Sequence, residues 1–71
     1  MNIAELLKQL RNELNITQED LAHAVHVSFS TVNRWENKKS QPNRMAHALI
    51  LDYCIKSKVS DKIVTCLKSN K

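Results

Sequence analysis

The chain has 71 residues, enough for one small domain whose core supplies only a few kcal/mol of net stability. Hydrophobic residues make up 42% and charged residues 25%, a balance typical of a globular domain and not of a disordered tail. The sequence has no apolar run approaching the ~20 residues of a membrane helix and no secretory signal pattern, so no membrane partner is predicted and a cytoplasmic location is expected. Glycine is absent, which excludes glycine-rich phosphate-binding loops.

The net charge of +4 comes from the end of the sequence. Residues 1–55 hold six basic and six acidic residues, whereas residues 56–71 hold five Lys against Asp61. The total charge is therefore weak support for a nucleic-acid partner. Residues of about 68–71 are predicted to form a basic tail, and such tails are often simply exposed to solvent. A local bias is more informative, since four basic residues face only Glu36 within eleven residues: Arg34, Lys38, Lys39 and Arg44.

The cysteines and histidines do not form a strong metal or catalytic pattern. Cys54 and Cys66 are predicted to be reduced thiols, although one disulfide would be conceivable in a secreted protein. His23 and His26 could share a metal on one helix face, but no further ligands are placed to complete four, so no metal or other cofactor is predicted. No nucleophile stands beside a histidine–acid relay, and an enzyme is therefore not expected.

Five helices are predicted from apolar periodicity and capping residues. The first carries apolar residues from Ile3 to Leu14 and is capped by Asn2 with Glu5. The second runs from a Thr17 cap through Val25, and the third from a Ser28 cap to about Asn37. The fourth follows Asn43 and the fifth follows Ser60. The apolar positions expected to face the core in the last two are Ala46, Leu49, Ile50, Tyr53, Cys54, Val59, Ile63, Val64 and Leu67. The fold class is therefore all-α, in one domain over residues 1–71.

The second and third predicted helices have the geometry of a helix-turn-helix, because the turn between them is too short for an antiparallel hairpin. At 100° per residue, Val32 and Trp35 fall on one face of the third helix and would pack on the core. The opposite face presents five side chains: Phe29, Ser30, Asn33, Arg34 and Asn37. Such a face offers what a DNA major groove requires, since Arg pairs with guanine, Asn pairs with adenine, and an apolar side chain packs on the thymine methyl. A polar face turned to water is the plainer interpretation of the same pattern.

The flanking residues add a family resemblance. The segments Gln18-Glu19-Asp20-Leu21-Ala22 and Thr31-Val32-x-Arg34-Trp35-Glu36-Asn37, with Leu10-Arg11 before them and Pro42 after them, closely resemble the Cro/repressor-type (Xre-like) helix-turn-helix family. The resemblance covers about residues 3–57 and implies a five-helix DNA-binding domain. It also implies a transcriptional regulator, more specifically a repressor, that can act as a homodimer on palindromic operators.

The resemblance assigns roles to matching positions, with the helix-turn-helix unit at about residues 17–37. Base readout is expected from Phe29, Ser30, Asn33 and Arg34. Phosphate contacts are expected from Gln18, Asn37, Lys38, Lys39 and Arg44. Arg11 and Glu36 take the places of a structural ion pair. The family usually has glycine where this chain has His26 and Lys38, so both loops are expected to differ in shape from those of relatives.

Two further interpretations remain beside sequence-specific binding of double-stranded DNA. A protein-interaction or antitoxin-type adaptor would use Phe29 and Trp35 as contacts and bind DNA weakly. RNA is disfavoured because the A-form major groove is too narrow for a helix. No small-molecule ligand is indicated by the sequence. The last helix is expected to complete the core, with a self-contact as the alternative.

Overall fold

A computed structural model describes residues 2–69, which form five helices and no strand. The helices are α1 (Ile3–Leu14), α2 (Gln18–Ala24), α3 (Phe29–Glu36), α4 (Arg44–Lys56) and α5 (Asp61–Ser69). The all-α prediction is confirmed. The predicted basic tail begins inside α5, and residues 70 and 71 lie outside the described residues. None of these helices has the length and apolar character that crossing a membrane requires.

Side-chain caps begin the first four helices at the predicted residues. Asn2, Thr17, Ser28 and Asn43 each accept a hydrogen bond from the backbone N–H three residues later. At α2 the cap is reciprocal, because the Asp20 carboxylate accepts from the Thr17 backbone N–H at 3.1 Å. A cap of this kind contributes about 1 kcal/mol by satisfying a free N–H group of the first turn. The start of each of these helices is therefore encoded locally.

Four helices end in a left-handed residue although the chain has no glycine. The residues are Asn15, His26, Lys38 and Lys58, with φ between 57° and 63°. After α4, the Lys58 N–H donates to the Ile55 carbonyl and the Val59 N–H to the Cys54 carbonyl, both at 3.2 Å. The same pair of bonds closes the other three ends, which defines a Schellman motif at each. At His26 and Lys38 these bonds hold the left-handed conformation against its cost of ~1–2 kcal/mol, and a loop shape different from that of relatives stays a prediction.

The residue after each left-handed position shows how the four ends differ. Ile16, Val27 and Val59 take this place after α1, α2 and α4, and each packs against the apolar core. After α3 the residue is Lys39, which is exposed. After α1, α2 and α4 the Schellman motif therefore packs an apolar residue on the core, whereas after α3 it places the Lys39 cation in solvent.

One apolar cluster forms the core, with contributions from every helix. Ile63 and Leu67 of α5 are buried in it, as expected for a helix that completes the core. The prediction for Leu49 is wrong, since its side chain is 36% exposed. The inward face of α4 instead centres on Ile50 and Cys54, both fully buried, so Leu49 lies at the edge of that face.

Both cysteines are free thiols, in agreement with the expectation of reduced cysteines. Burial, together with repulsion from Glu13, raises the pKa of the Cys54 thiol to about 11. Cys54 is therefore protonated at neutral pH and behaves as a small apolar core residue. The carboxylate of Glu13 also accepts the backbone N–H of Ser60, which links α1 to the start of α5.

Candidate nucleic-acid interface

The third helix has one face in the core and the opposite face in solvent. Val32 is fully buried and Trp35 is 4% exposed, and together they anchor α3 on the core. Phe29, Ser30 and Arg34 are all exposed. Phe29 is the unusual member, because an aromatic side chain that is 49% exposed leaves much apolar area in water. Three of the four side chains predicted to read bases therefore stand on an open surface of α3.

An ion pair joins the end of α3 to α1, as the family resemblance implied. Arg11 donates from Nε to Glu36 Oε2 and from Nη2 to Glu36 Oε1, both at 2.7 Å. The Glu36 side chain is 2% exposed and that of Arg11 is 22% exposed. Two parallel bonds from one guanidinium fix the carboxylate in orientation as well as in position. The pair therefore sets the direction of the last turn of α3.

The two charges stabilise each other despite burial. Burial by itself raises the pKa of Glu36, but hydrogen bonds from Arg11 and Gln18, with attraction from Arg11 and Lys8, outweigh it and lower the pKa. The hydrogen bond to Glu36 raises the pKa of Arg11, against the effect of burial. Both groups are consequently charged at neutral pH.

The ion pair continues toward the surface through three side-chain amides. Gln18 Nε2 donates to Glu36 Oε1 at 3.0 Å, and Gln18 Oε1 accepts from Asn33 Nδ2 at 3.2 Å. Asn37 Nδ2 in turn donates to the Asn33 side-chain oxygen at 3.0 Å and to its carbonyl at 2.9 Å. We call Arg11, Glu36, Gln18, Asn33 and Asn37 the bracing network. It connects α1, α2 and α3 through one ion pair and the amide hydrogen bonds that extend from it.

The bracing network already engages Asn33, one of the residues predicted to read bases. Its side chain is half-buried, its Nδ2 bonds to Gln18, and its Oδ1 accepts from Asn37. Adenine recognition uses both ends of the amide, and each end of Asn33 already makes one hydrogen bond, so a base contact would have to share or replace these bonds. Helical periodicity placed it on the outer face correctly, but could not show that Gln18 lies within reach. Asn37 is exposed, and a phosphate contact by its amide would require release from Asn33.

The remaining predicted phosphate contacts lie on the loop after α3 and at the start of α4. Lys38, Lys39 and Arg44 are all exposed. Lys38 holds the left-handed position, and Arg44 is the first residue of α4, directly after its cap. Lys38 and Lys39 therefore follow the C-terminal end of α3, Arg44 begins α4, and Gln18 begins α2. Within residues 2–69, no three His, Cys, Asp or Glu side chains are grouped so as to hold a metal ion.

The helices and this surface define a Cro/repressor-type helix-turn-helix domain. Residues 7–46 match a family model described as helix-turn-helix, which is more than half of the sequence. The chain belongs to this family, and the predicted recognition is confirmed.

A search of curated proteins found the HTH-type transcriptional activator BcrR of Enterococcus faecalis, 44% identical over 43 residues. The match covers 61% of this chain and 21% of that protein, so the chain spans about a fifth of the relative's length. No solved structure matches the chain significantly. The two similarities point to a DNA-binding protein and not to an enzyme, and they do not favour the adaptor interpretation.

Proposed function

We propose that the chain binds double-stranded DNA sequence-specifically, with α3 in the major groove, and regulates transcription. The observation that carries the proposal is the exposed face of α3, with Phe29, Ser30 and Arg34 in solvent. The opposite side of the same helix is fixed by Trp35 in the core and by the ion pair of Glu36. A rigid helix with a free polar face meets the geometric requirement for reading base edges.

Each exposed side chain suits one kind of contact in the groove. The guanidinium of Arg34 donates two hydrogen bonds to guanine O6 and N7. Ser30 donates to a base edge or a phosphate, and the Phe29 ring packs on a thymine methyl group. Phe29 and Ser30 belong to the first turn of α3, whose free N–H groups also favour the negatively charged duplex.

Phosphate contacts on both sides of α3 would set its position in the groove. Lys38, Lys39 and Arg44 supply the charge on one side. On the other side Gln18 keeps one amide hydrogen free, because only one is used in the bond to Glu36. Gln18 can therefore donate to a phosphate without leaving the bracing network. In this proposal Asn33 and Asn37 hold Gln18 in position and do not themselves contact DNA.

Selection of duplexes from a random pool, followed by binding of two variants, tests the proposal. Arg34→Ala should weaken binding to the selected duplex by about 1–3 kcal/mol and relax the preference at one base pair. Lys39→Ala should weaken selected and random duplexes equally and reduce the slope of log K against log salt by about one. Lys62→Ala is the control, because it removes the same charge from an exposed position on α5. An equal, sequence-independent loss in Arg34→Ala and Lys39→Ala would contradict base reading by α3.

We further propose a homodimer on palindromic sites, on the family resemblance. Two copies would occupy half-sites ~34–36 Å apart, which is one turn of the duplex. The selected duplexes report this directly, as inverted repeats with that spacing. A single short site bound by one copy would contradict the dimer and leave the role of α3 intact. Repression and cytoplasmic location stay predictions from the sequence.

A further inference from the structure

A cleft of about 540 Å³ opens between the first half of α4 and the end of α5. Its apolar wall includes Ala48, Leu51 and Leu67. The volume is within the range of small-molecule sites, about 300–1,000 Å³. The cleft is separate from Phe29, Ser30 and Arg34 on α3, and the assigned functions leave it unused.

A hydrogen bond fixes the two sides of the cleft relative to each other. His47 Nε2 lies 2.7 Å from the carbonyl oxygen of Leu67. A carbonyl oxygen only accepts, so Nε2 carries the proton and donates it. The bond joins the second turn of α4 to the last turn of α5, which gives the cleft a defined width.

The charges around the cleft have one sign. Arg44 and Lys68 line it, both exposed, with His47 between α4 and α5. Among the described residues that line the cleft there is no Asp or Glu. An apolar wall next to two cations complements a molecule with an apolar body and one anionic group, since a carboxylate pairs with the guanidinium of Arg44.

We propose that this cleft binds a free amphipathic carboxylate, with its apolar body on Ala48 and Leu51 and its carboxylate on Arg44 and Lys68. Arg44 is also one of the proposed phosphate contacts, so the bound carboxylate competes with the DNA backbone for the same guanidinium. This regulatory part rests on the proposed function, whereas occupancy of the cleft does not. Linkage then requires that DNA lowers the affinity for the carboxylate by the same factor.

Titration of the full chain with sodium decanoate, followed by two-dimensional ¹H–¹⁵N NMR, tests occupancy without DNA. The expected result is saturable shifts of the Ala48, Leu51 and Leu67 signals, with much weaker binding of decanol, which lacks the charge. Lys68→Gln should raise the Kd for decanoate about threefold to fivefold, as expected for a partly exposed ion pair. Lys62→Gln, the matched loss of charge on α5, should leave the Kd unchanged. Absent shifts in the cleft, equal binding of decanol, or equal Kd values for the two variants would overturn the proposal.

A second variant tests occupancy of the cleft while the fold is monitored separately. Ala48 is exposed, so Ala48→Glu should keep the fold, which circular dichroism checks, and its carboxylate should abolish decanoate binding. Saturating decanoate should weaken wild-type binding to the selected duplex about fivefold and have no effect on Ala48→Glu. Unchanged duplex affinity with decanoate bound would overturn the regulatory part. A chain that binds no duplex would refute the proposed function, while the NMR titration would still decide occupancy.

Discussion

The part of the molecule formed by α1, α2 and α3 is held together differently from the part formed by α4 and α5. In the first part a buried carboxylate, Glu36, connects three helices through Arg11 and Gln18. In the second part the core contacts are apolar, one hydrogen bond from His47 to the Leu67 carbonyl joins the two helices, and the ion pair of α4, Lys56 with Asp52, lies exposed on the surface. Among residues 2–69, the one charged side chain that is buried, Glu36, therefore lies at the end of α3.

The difference follows from what each part has to hold fixed. A buried ion pair is costly to desolvate and often adds little stability relative to apolar packing. It does restrict orientation, because hydrogen bonds have preferred directions and apolar contacts do not. In the proposed function, the direction of α3 decides which base edges its side chains reach. The α4–α5 part presents no base-reading side chain in this proposal, and it leaves Met45 and Ile55 exposed.

Breaking the buried ion pair should have the largest effect. Arg11→Ala leaves the Glu36 carboxylate buried without its main partner, which costs about 3–5 kcal/mol in fully buried pairs. We expect about 3 kcal/mol, because Arg11 is 22% exposed and water can reach part of the site. The free energy of unfolding in urea measures this loss. For a domain of this size that is a large share of the total stability.

Lys56→Ala is the matched change in the other part of the molecule. It removes one partner of an exposed ion pair four residues apart on α4, and the expected loss is below about 0.5 kcal/mol. Similar losses in the two variants would remove the distinction between the two parts.

Acid should lower the free energy of unfolding through Glu36, in the α1–α3 part. The expected loss is smaller than that caused by Arg11→Ala. The folded-state pKa of Glu36 is lowered, so this group stabilises the fold above its unfolded pKa, and the contribution is lost as the pH falls through the folded pKa. Between the two pKa values the unfolded chain binds more protons, and stability therefore falls as the pH drops from about 5. Glu36→Gln should flatten this dependence in urea unfolding at several pH values. Asp52→Asn, the same type of change at an exposed carboxylate, is the control, and a flattening of equal size in it would contradict the assignment to Glu36.

The sequence predicts the elements whose causes are local. Asn2, Thr17, Ser28 and Asn43 cap helices by bonding to an N–H three residues away, a distance visible in the sequence. The apolar spacing of α1 likewise predicts its buried face. The family resemblance supplies the pairing of Arg11 with Glu36, which spacing alone would not give.

The features that the sequence missed depend on distances between helices. Asn33 lies on the outer face of α3 as predicted, yet its bond to Gln18 depends on how α2 crosses α3. Leu49 fits the apolar period of α4, but the position of α5 decides which part of that face is covered. The cleft beside Leu67 has the same origin, since no segment by itself encodes an opening between two helices.

The left-handed helix ends are common to both parts, and they supply the smallest expected effect. Lys38 follows α3 and Lys58 follows α4, each with φ near 60°. Glycine has no Cβ to clash in this conformation, but it adds backbone entropy to the unfolded chain, so the net gain is expected to be about 0.5–1 kcal/mol. Lys38→Gly and Lys58→Gly should therefore raise the urea midpoint by similar amounts, although one position adjoins the bracing network and the other adjoins the apolar part. Asn15→Gly should gain less, because asparagine tolerates the left-handed region. A much larger gain at Lys38 than at Lys58 would mean that the loop after α3 stores additional strain, and the two parts would then differ in backbone as well as in side-chain contacts.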